Sequence, residues 1–252
     1  MRYPATGAIL AVLMSLFLMV VSGYAQEKEP LPDEDAEKAL THFHRGERLM
    51  KDNRAEEAVK AYQEAIKVKP ELAEAHHALG LAYAQVGHYG EAEKAFKEAL
   101  RLQPQWGKAQ ENLGVAYVKL GRWQDALNVF REAARLHPND AEAQYNLGLA
   151  LGKLNRHQEA KEAFLQALRL QPDLAKAHKN LGMAYIHLGR WKEAGESFKE
   201  AARLKPEDAE AHYGLCAFYI KMGDREAAAK EYQTLQKLDQ NLAKKFSEQI
   251  LK

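Results

Sequence analysis

The sequence predicts an all-α fold, a solenoid of repeated two-helix units, on three observations. Five of the eight prolines, Pro70, Pro104, Pro138, Pro172 and Pro206, recur at an interval of 34 residues. Proline inside a helix costs about 3 kcal/mol, so each one marks a helix boundary and the residues between must form a compact unit. Aligned on the prolines, small and apolar residues fall into columns, and the columns trace one face of each of two successive helices per unit. A fixed period of this length is the mark of a repeat array.

Taken in chain order, residues 1–25 read as an export signal. Arg2 precedes an apolar run from Ala8 to Val21, and small residues at Gly23 and Ala25 suit cleavage before Gln26. A helix of that run spans about 21 Å against a hydrocarbon core of roughly 30 Å, short for a permanent span. Two outcomes stay open: cleavage, or retention as an anchor in which Gly7 to Tyr24 crosses a thin bilayer. No cysteine follows the run, which excludes lipid attachment there. The expected location is periplasmic or secreted in the first case, and tethered to the inner membrane facing the periplasm in the second. Residues 26–38, with Glu27, Glu29, Asp33, Glu34 and Asp35, form an acidic lead into the first helix.

Six units then follow, at 39–72, 73–106, 107–140, 141–174, 175–208 and 209–242. Position 7 reads Leu79, Leu113, Leu147, Leu181 and Leu215, and position 8 reads Gly46, Gly80, Gly114, Gly148 and Gly182, then Cys216. Position 11 is Tyr83, Tyr117, Leu151, Tyr185 and Tyr219. In the second half, position 20 is always alanine (Ala58, Ala92, Ala126, Ala160, Ala194, Ala228), and position 24 is Tyr62, Phe96, Phe130, Phe164, Phe198 and Tyr232. Positions 4, 7, 8 and 11 share one helical face and 20, 23, 24 and 27 share another. Glycine at position 8 and alanine at position 20 are expected to remove bulk where two backbones approach, with the aromatics filling the space between units.

These columns, and stretches such as NLGVAYVKLGRWQDALNVFREAARLHP, closely resemble the tetratricopeptide repeat over residues 39–242. The resemblance implies antiparallel helix pairs stacked into a right-handed superhelix whose first helices line a peptide-binding concave groove. The first unit departs with Arg45 at position 7 and no glycine at position 15, and the sixth with Cys216 and Gln240 in place of glycine and proline. Atypical terminal units are expected caps. Leu242, Phe246 and Ile250 recur at four-residue spacing, so Asn241 to Lys252 reads as a capping helix, its end at 243–252.

The inventory argues against chemistry. Beyond residue 25 the chain holds two serines, two threonines and one cysteine, and has no glycine-rich phosphate loop, C-x-x-C or H-E-x-x-H. An enzyme and a cofactor are not expected. His42, His76, His178 and His212 share position 4, one unit apart, too far for joint ligation near 2 Å, so no metal is expected either. Cys216 reads as a packing residue, and Glu91, Glu93, Glu159 and Glu162 as solvated charge on second helices. A formal charge of +1 argues against nucleic acid.

Positions 2, 5, 6, 9, 12 and 13 form the opposite face of each first helix and project into the groove. Asn112, Asn146 and Asn180 hold position 6 in three consecutive units and could pair with both N–H and C=O of an extended chain. A second reading takes asparagine as merely common in this column. Position 9 supplies an apolar floor of Leu81, Val115, Leu149, Met183 and Ala217, extended by Val118, Ile186 and Ile220 at position 12, and Tyr145 and Tyr213 at position 5 are candidate aromatic anchors. The floor could instead be buried against neighbouring first helices. Trp106 is either a further anchor or packed across its turn, and Trp123 and Trp191, sharing position 17, read as structural. One specialisation of the family clamps chaperone C-terminal carboxylates. Asn146 and Lys176 would fit it, but Glu111, Val115 and Asn180 stand where lysine, asparagine and arginine are needed, so the clamp is rejected.

The expected function is a scaffold that binds a peptide segment of a partner protein in the groove, in the cell envelope. The alternative is a structural subunit of an envelope or secretion assembly that packs by its outer surface. The partner, the pathway and the oligomeric state are not readable from the residues.

Overall fold

The computed structural model describes residues 34–250, and thirteen helices and no strands occur among them. The export signal with its cleavage site, residues 26–33 of the acidic lead and the last two residues lie outside the described residues. In order the helices are α1 (Glu34–Lys51), α2 (Ala55–Val68), α3 (Ala73–Gln85), α4 (Tyr89–Leu102), α5 (Gly107–Lys119), α6 (Trp123–Leu136), α7 (Ala141–Lys153), α8 (His157–Leu170), α9 (Ala175–His187), α10 (Trp191–Leu204), α11 (Ala209–Met222), α12 (Arg225–Leu238) and α13 (Gln240–Ile250). Odd-numbered helices up to α11 are the first helices of the six units and even-numbered ones the second. Each first helix touches the first helix of the next unit, while no two second helices touch among the described residues. The first helices therefore form the inner wall of an all-α repeat superhelix.

What holds a unit together is a glycine under an aromatic ring. A Cβ built on Gly80 would lie 2.5 Å from Phe96 Cε1, on Gly114 2.3 Å from Phe130 Cε1, and on Gly148 2.6 Å from Phe164 Cε1. Gly46 stands in the same relation to Tyr62, and Gly182 to Phe198. The aromatic at position 24 thus lies mainly inside its own unit, between its two helices, and not between units as the column pattern suggested. Phe198 is the exception that does both, since Gly214 of the next unit also gives way to its ring. Phe96, Phe130 and Phe198 are essentially inaccessible to water. Alanines at positions 20 and 27 of the second helices are likewise buried, which lets the rings sit close to the backbone.

The turns follow the same economy of side chains. Position 15 has positive φ in all six units: Gly87, Gly121, Gly189 and Gly223 near +74 to +81°, and Asn53 and Asn155 at 59° and 60°. The missing glycine of the first unit is therefore no departure in geometry, because asparagine tolerates the left-handed region. At position 4, His76, His178 and His212 each donate Nε2 to the carbonyl of the preceding column proline at 2.8 to 2.9 Å, and Gln110 does so to Pro104 at 3.1 Å. The proline turns leave a carbonyl that needs a donor, and this column supplies it.

Second helices carry their charges outward as i,i+3 pairs such as Arg54–Glu57, Arg156–Glu159 and Arg203–Glu200. Exposed pairs of this kind contribute little. Glu93 departs from the solvated reading: its side chain is 14% exposed and meets Lys97 at 2.7 Å and Arg122, at the start of the next unit's second helix, at 2.8 Å. Burial works against its charge, yet the two cations hold its carboxyl below the usual range.

At the chain's end, α13 starts at Gln240 and packs Ala243 and Phe246 over Tyr213, Cys216, Tyr232 and Leu235. It takes the place a seventh first helix would occupy. Cys216, fully buried in the glycine column, has its thiol pushed up to about 12 by burial.

Two glycine substitutions should behave oppositely. Gly114→Val is expected to lose roughly 1 to 3 kcal/mol by overpacking against Phe130. Gly152→Ala, whose new Cβ meets only Ala160 Cβ at 3.9 Å, should be neutral or gain up to about 1 kcal/mol in helix propensity. Chemical denaturation of both variants checks the contrast.

Candidate functional site

The inner wall presents the position-9 column to solvent. Leu81 is 37% exposed, Val115 42% and Met183 41%, with Leu149 half-buried between them. A soluble protein that leaves such side chains uncovered in one row has an apolar surface available for a partner. Ile220 at position 12 extends the row at 40% exposure.

The position-6 asparagines are tied to the unit before them in two cases out of three. Asn112 Nδ2 donates to His77 Nε2 at 2.9 Å, and Asn180 Nδ2 donates to the Tyr145 hydroxyl at 3.1 Å and to Lys176 O at 3.0 Å. Asn146 makes no side-chain hydrogen bond among the described residues, because position 5 of the preceding unit is Glu111, whose carboxylate is taken by Lys108 Nζ at 2.9 Å. Asn146 is the one member of the row with its whole amide available. Glu111 is nearly inaccessible, and burial, with Asp140 close by, raises its pKa against the opposing effect of Lys108.

Tyr145 is half-buried, with its ring 5.9 Å from Phe164 and Lys176 Nζ 4.4 Å above its centre. Burial raises its hydroxyl pKa. Tyr213 meets Phe246 edge-on at 5.2 Å and is thereby covered by α13. Position 5 also contributes Phe43 and His77, which the column reading did not single out. Together with Trp106, Met50, Tyr62 and Leu81 they line a cavity of ≈ 410 Å³ between the first two units. Trp106 does both things that were open for it: its ring packs 4.4 Å from His77 and it borders this cavity. Trp123 and Trp191 are half-buried, each under a lysine, Lys153 and Lys221, from the next unit.

Charge is distributed unequally across the groove. Along the edge formed by the starts of the first helices, charges cancel locally: Lys108 with Glu111, Lys176 with Glu142, and Lys179 with Asp208 at 3.0 Å and Glu210 at 2.7 Å. Burial opposes the charge of Lys179, but those two carboxylates outweigh it and hold its ammonium above the ordinary value. Along the other edge, position 13 reads Lys51, Gln85, Lys119, Lys153, His187 and Lys221, all exposed; Gln85 Nε2 donates to Asn53 Oδ1 at 2.7 Å, and the others make no ion pair with a carboxylate among the described residues.

Residues 20–248 match the tetratricopeptide-repeat model described as the cilia and flagella-associated protein 70 C-terminal domain. The chain belongs to the tetratricopeptide-repeat family. No curated protein matches it in sequence. Among solved structures it is similar to YrrB, a TPR protein with an unusual peptide-binding site, at 27% identity and a TM-score of 0.63 over 71% of this chain and 91% of that one. It is similar to MamA of Desulfovibrio magneticus RS-1 at 27% identity and a TM-score of 0.64, over 68% of this chain and 97% of that one. Pseudomonas aeruginosa PilF shares the fold at 19% identity with a TM-score of 0.73, over 86% of this chain and all of that one. No described helix of this tetratricopeptide-repeat protein is long and apolar enough to cross a membrane, and no described group of three or more side chains could hold a metal ion.

His77 gives a test of the groove's wiring. Burial first, and Lys108 second, hold its imidazole below the ordinary value, and Asn112 needs Nε2 unprotonated as acceptor. An NMR titration should therefore show His77 protonating below about 6.5, with Lys108→Gln moving it upward. Because the folded value is depressed, His77 stabilises the fold above the unfolded value, and that contribution is lost as pH falls toward the folded one.

Proposed function

We propose that the chain is a non-catalytic scaffold that holds an extended segment of a partner protein in its concave groove, in the cell envelope. The observation that carries this reading is the position-9 row, exposed at Leu81, Val115 and Met183 and half-buried at Leu149, running beside the free amide of Asn146. Apolar side chains of the segment would lie on the row, and Asn146 would pair with its backbone, donor and acceptor together. Asn112 and Asn180 would offer their remaining Oδ1 acceptors, and Tyr145 an aromatic edge. Tyr213 contributes least to this reading, since α13 covers it. The peptide-binding site named for YrrB supports the same use of a related fold. The envelope location rests on the export pattern of residues 1–25. The absence of catalysis rests on the scarcity of nucleophiles and on Cys216, whose thiol is buried and unreactive at neutral pH.

For a peptide recovered by crosslinking to the groove, Asn146→Ala should weaken binding about three- to tenfold, the effect of one hydrogen bond. Leu149→Glu should abolish binding by placing a charge on the apolar row, with helicity unchanged in both. Unchanged affinity in the two variants would sink the groove assignment. Crosslinkers at Leu149 and at Glu162 on the outer surface separate this reading from assembly through the second helices, which predicts capture at Glu162 alone.

A further inference from the structure

Gly152 has no packing reason to be glycine. It holds position 12, where the other units carry Met50, Ala84, Val118, Ile186 and Ile220. The position-8 glycines collide with an aromatic ring once given a Cβ, but a Cβ on Gly152 meets nothing nearer than Ala160 Cβ at 3.9 Å. Nor is its φ in the left-handed region. A helix glycine costs about 1 kcal/mol relative to alanine, so the missing side chain leaves the helix weaker with no gain in packing.

What the missing side chain leaves is space. Between the fourth and fifth units lies a cavity of ≈ 280 Å³ lined by Leu149, Gly152, Phe164, Asn180, Met183 and Ala184. Apart from Asn180 this floor is apolar, and the volume is near the low end for ligand pockets, about 300 Å³. The rim is different in character. His157 and His187 stack with ring centres 4.1 Å apart and planes 3° from parallel, and Lys153 borders them. This stack repeats the contact of Lys153 over Trp123 and of Lys221 over Trp191, position 13 of one unit lying over position 17 of the unit before, with imidazole in both places. Burial and the neighbouring His187 keep His157 below its ordinary pKa.

Cations in the last turn of a helix suit its dipole, which accounts for their sign. It does not account for the lack of carboxylate partners along this edge, where Lys153 and Lys221 rest on the rings of Trp123 and Trp191, while lysines on the opposite edge are each matched by a carboxylate. An occupant that supplies negative charge on the position-13 side completes the pairing.

We propose that the pocket beside Gly152 receives one large apolar side chain of a bound peptide whose flanking residues are acidic and meet Lys119, Lys153 and His187. This rests on the groove reading above and adds to it the chemistry of the segment. An acidic peptide fits better than a nucleic acid, because a floor of Leu149, Phe164, Met183 and Ala184 suits an apolar side chain.

A random peptide library displayed on phage, panned against the full chain, tests it. Enriched sequences are expected to share Leu, Met or Phe flanked by Asp or Glu. A synthetic copy of the best of them should lose about tenfold or more in affinity to Gly152→Ile, which restores the residue found at 186 and 220. Gly152→Met fills the same space without β-branching and serves if the first variant folds poorly. Lys153→Glu combined with His187→Glu should reverse the charge preference. No enrichment, enrichment without acidic flanks, unchanged affinity in the filled variants, or displacement by a single-stranded oligonucleotide in place of excess acidic peptide would each overturn the proposal. If Leu149→Glu abolishes binding while Gly152→Ile does not, the groove stands and the pocket falls. If both are silent, both fall.

Discussion

Everything in this molecule is built on one contact, the ring at position 24 pressed onto the bare Cα at position 8. It fixes the distance between the two helices of a unit, because nothing larger than hydrogen fits beneath the ring at Gly114. With that distance fixed five times over, the first helices are held on the inside and the second on the outside. The groove is then a consequence of stacking. Its inner face varies more than the packed one, most of all at positions 9 and 13, while position-5 rings such as Tyr145 and position-12 side chains such as Ile186 still pack against the core.

This separation explains why the fold was legible and the site only partly so. Packing imposes the same requirement on every unit, so glycine, alanine and the aromatics repeat and the period exposes them. The role of a repeated residue is harder to read. The position-4 histidines bind the proline carbonyls, a contact six residues back in sequence that the spacing does not announce. The column of alanines at position 3, Ala75, Ala109, Ala143, Ala177 and Ala211, is fully buried and passed unnoticed because alanine is unremarkable in a helix. Asn155 stands at position 15 of the fourth unit, and its positive φ shows it replacing glycine in the turn, a role its residue type alone does not announce.

Groove residues obey the opposite rule, since their surroundings differ from unit to unit. Asn112, Asn146 and Asn180 look equivalent in sequence, yet their availability depends on position 5 of the unit before: His77 and Tyr145 engage two of them, and Glu111, paired with Lys108, leaves the third alone. Such a dependence joins residues 35 apart and is invisible to a comparison made column by column. Gly152 was likewise readable only as an oddity, a glycine among aliphatics, until the space around it was known. Among these glycines the aromatic ring separates packing from vacancy: a ring lies over each position-8 glycine, and open space lies beside Gly152.

The termini show what an array needs at its ends. A unit in the middle buries its two open faces against neighbours, and the last unit has one face too many. Here α13 covers it with Ala243 and Phe246, and the residues beneath change accordingly: cysteine replaces glycine, and tyrosine replaces phenylalanine at position 24. The same cover removes Tyr213 from the groove, although in sequence it is the counterpart of Tyr145. The uncovered apolar row runs from the Phe43–Trp106 cavity past the Gly152 pocket and Met183 to Ile220, while α13 covers Tyr213. An array of this design carries local vacancies on a regular inner wall, and a side chain added at Gly152 would fill one without touching the ring contacts that stack its helices.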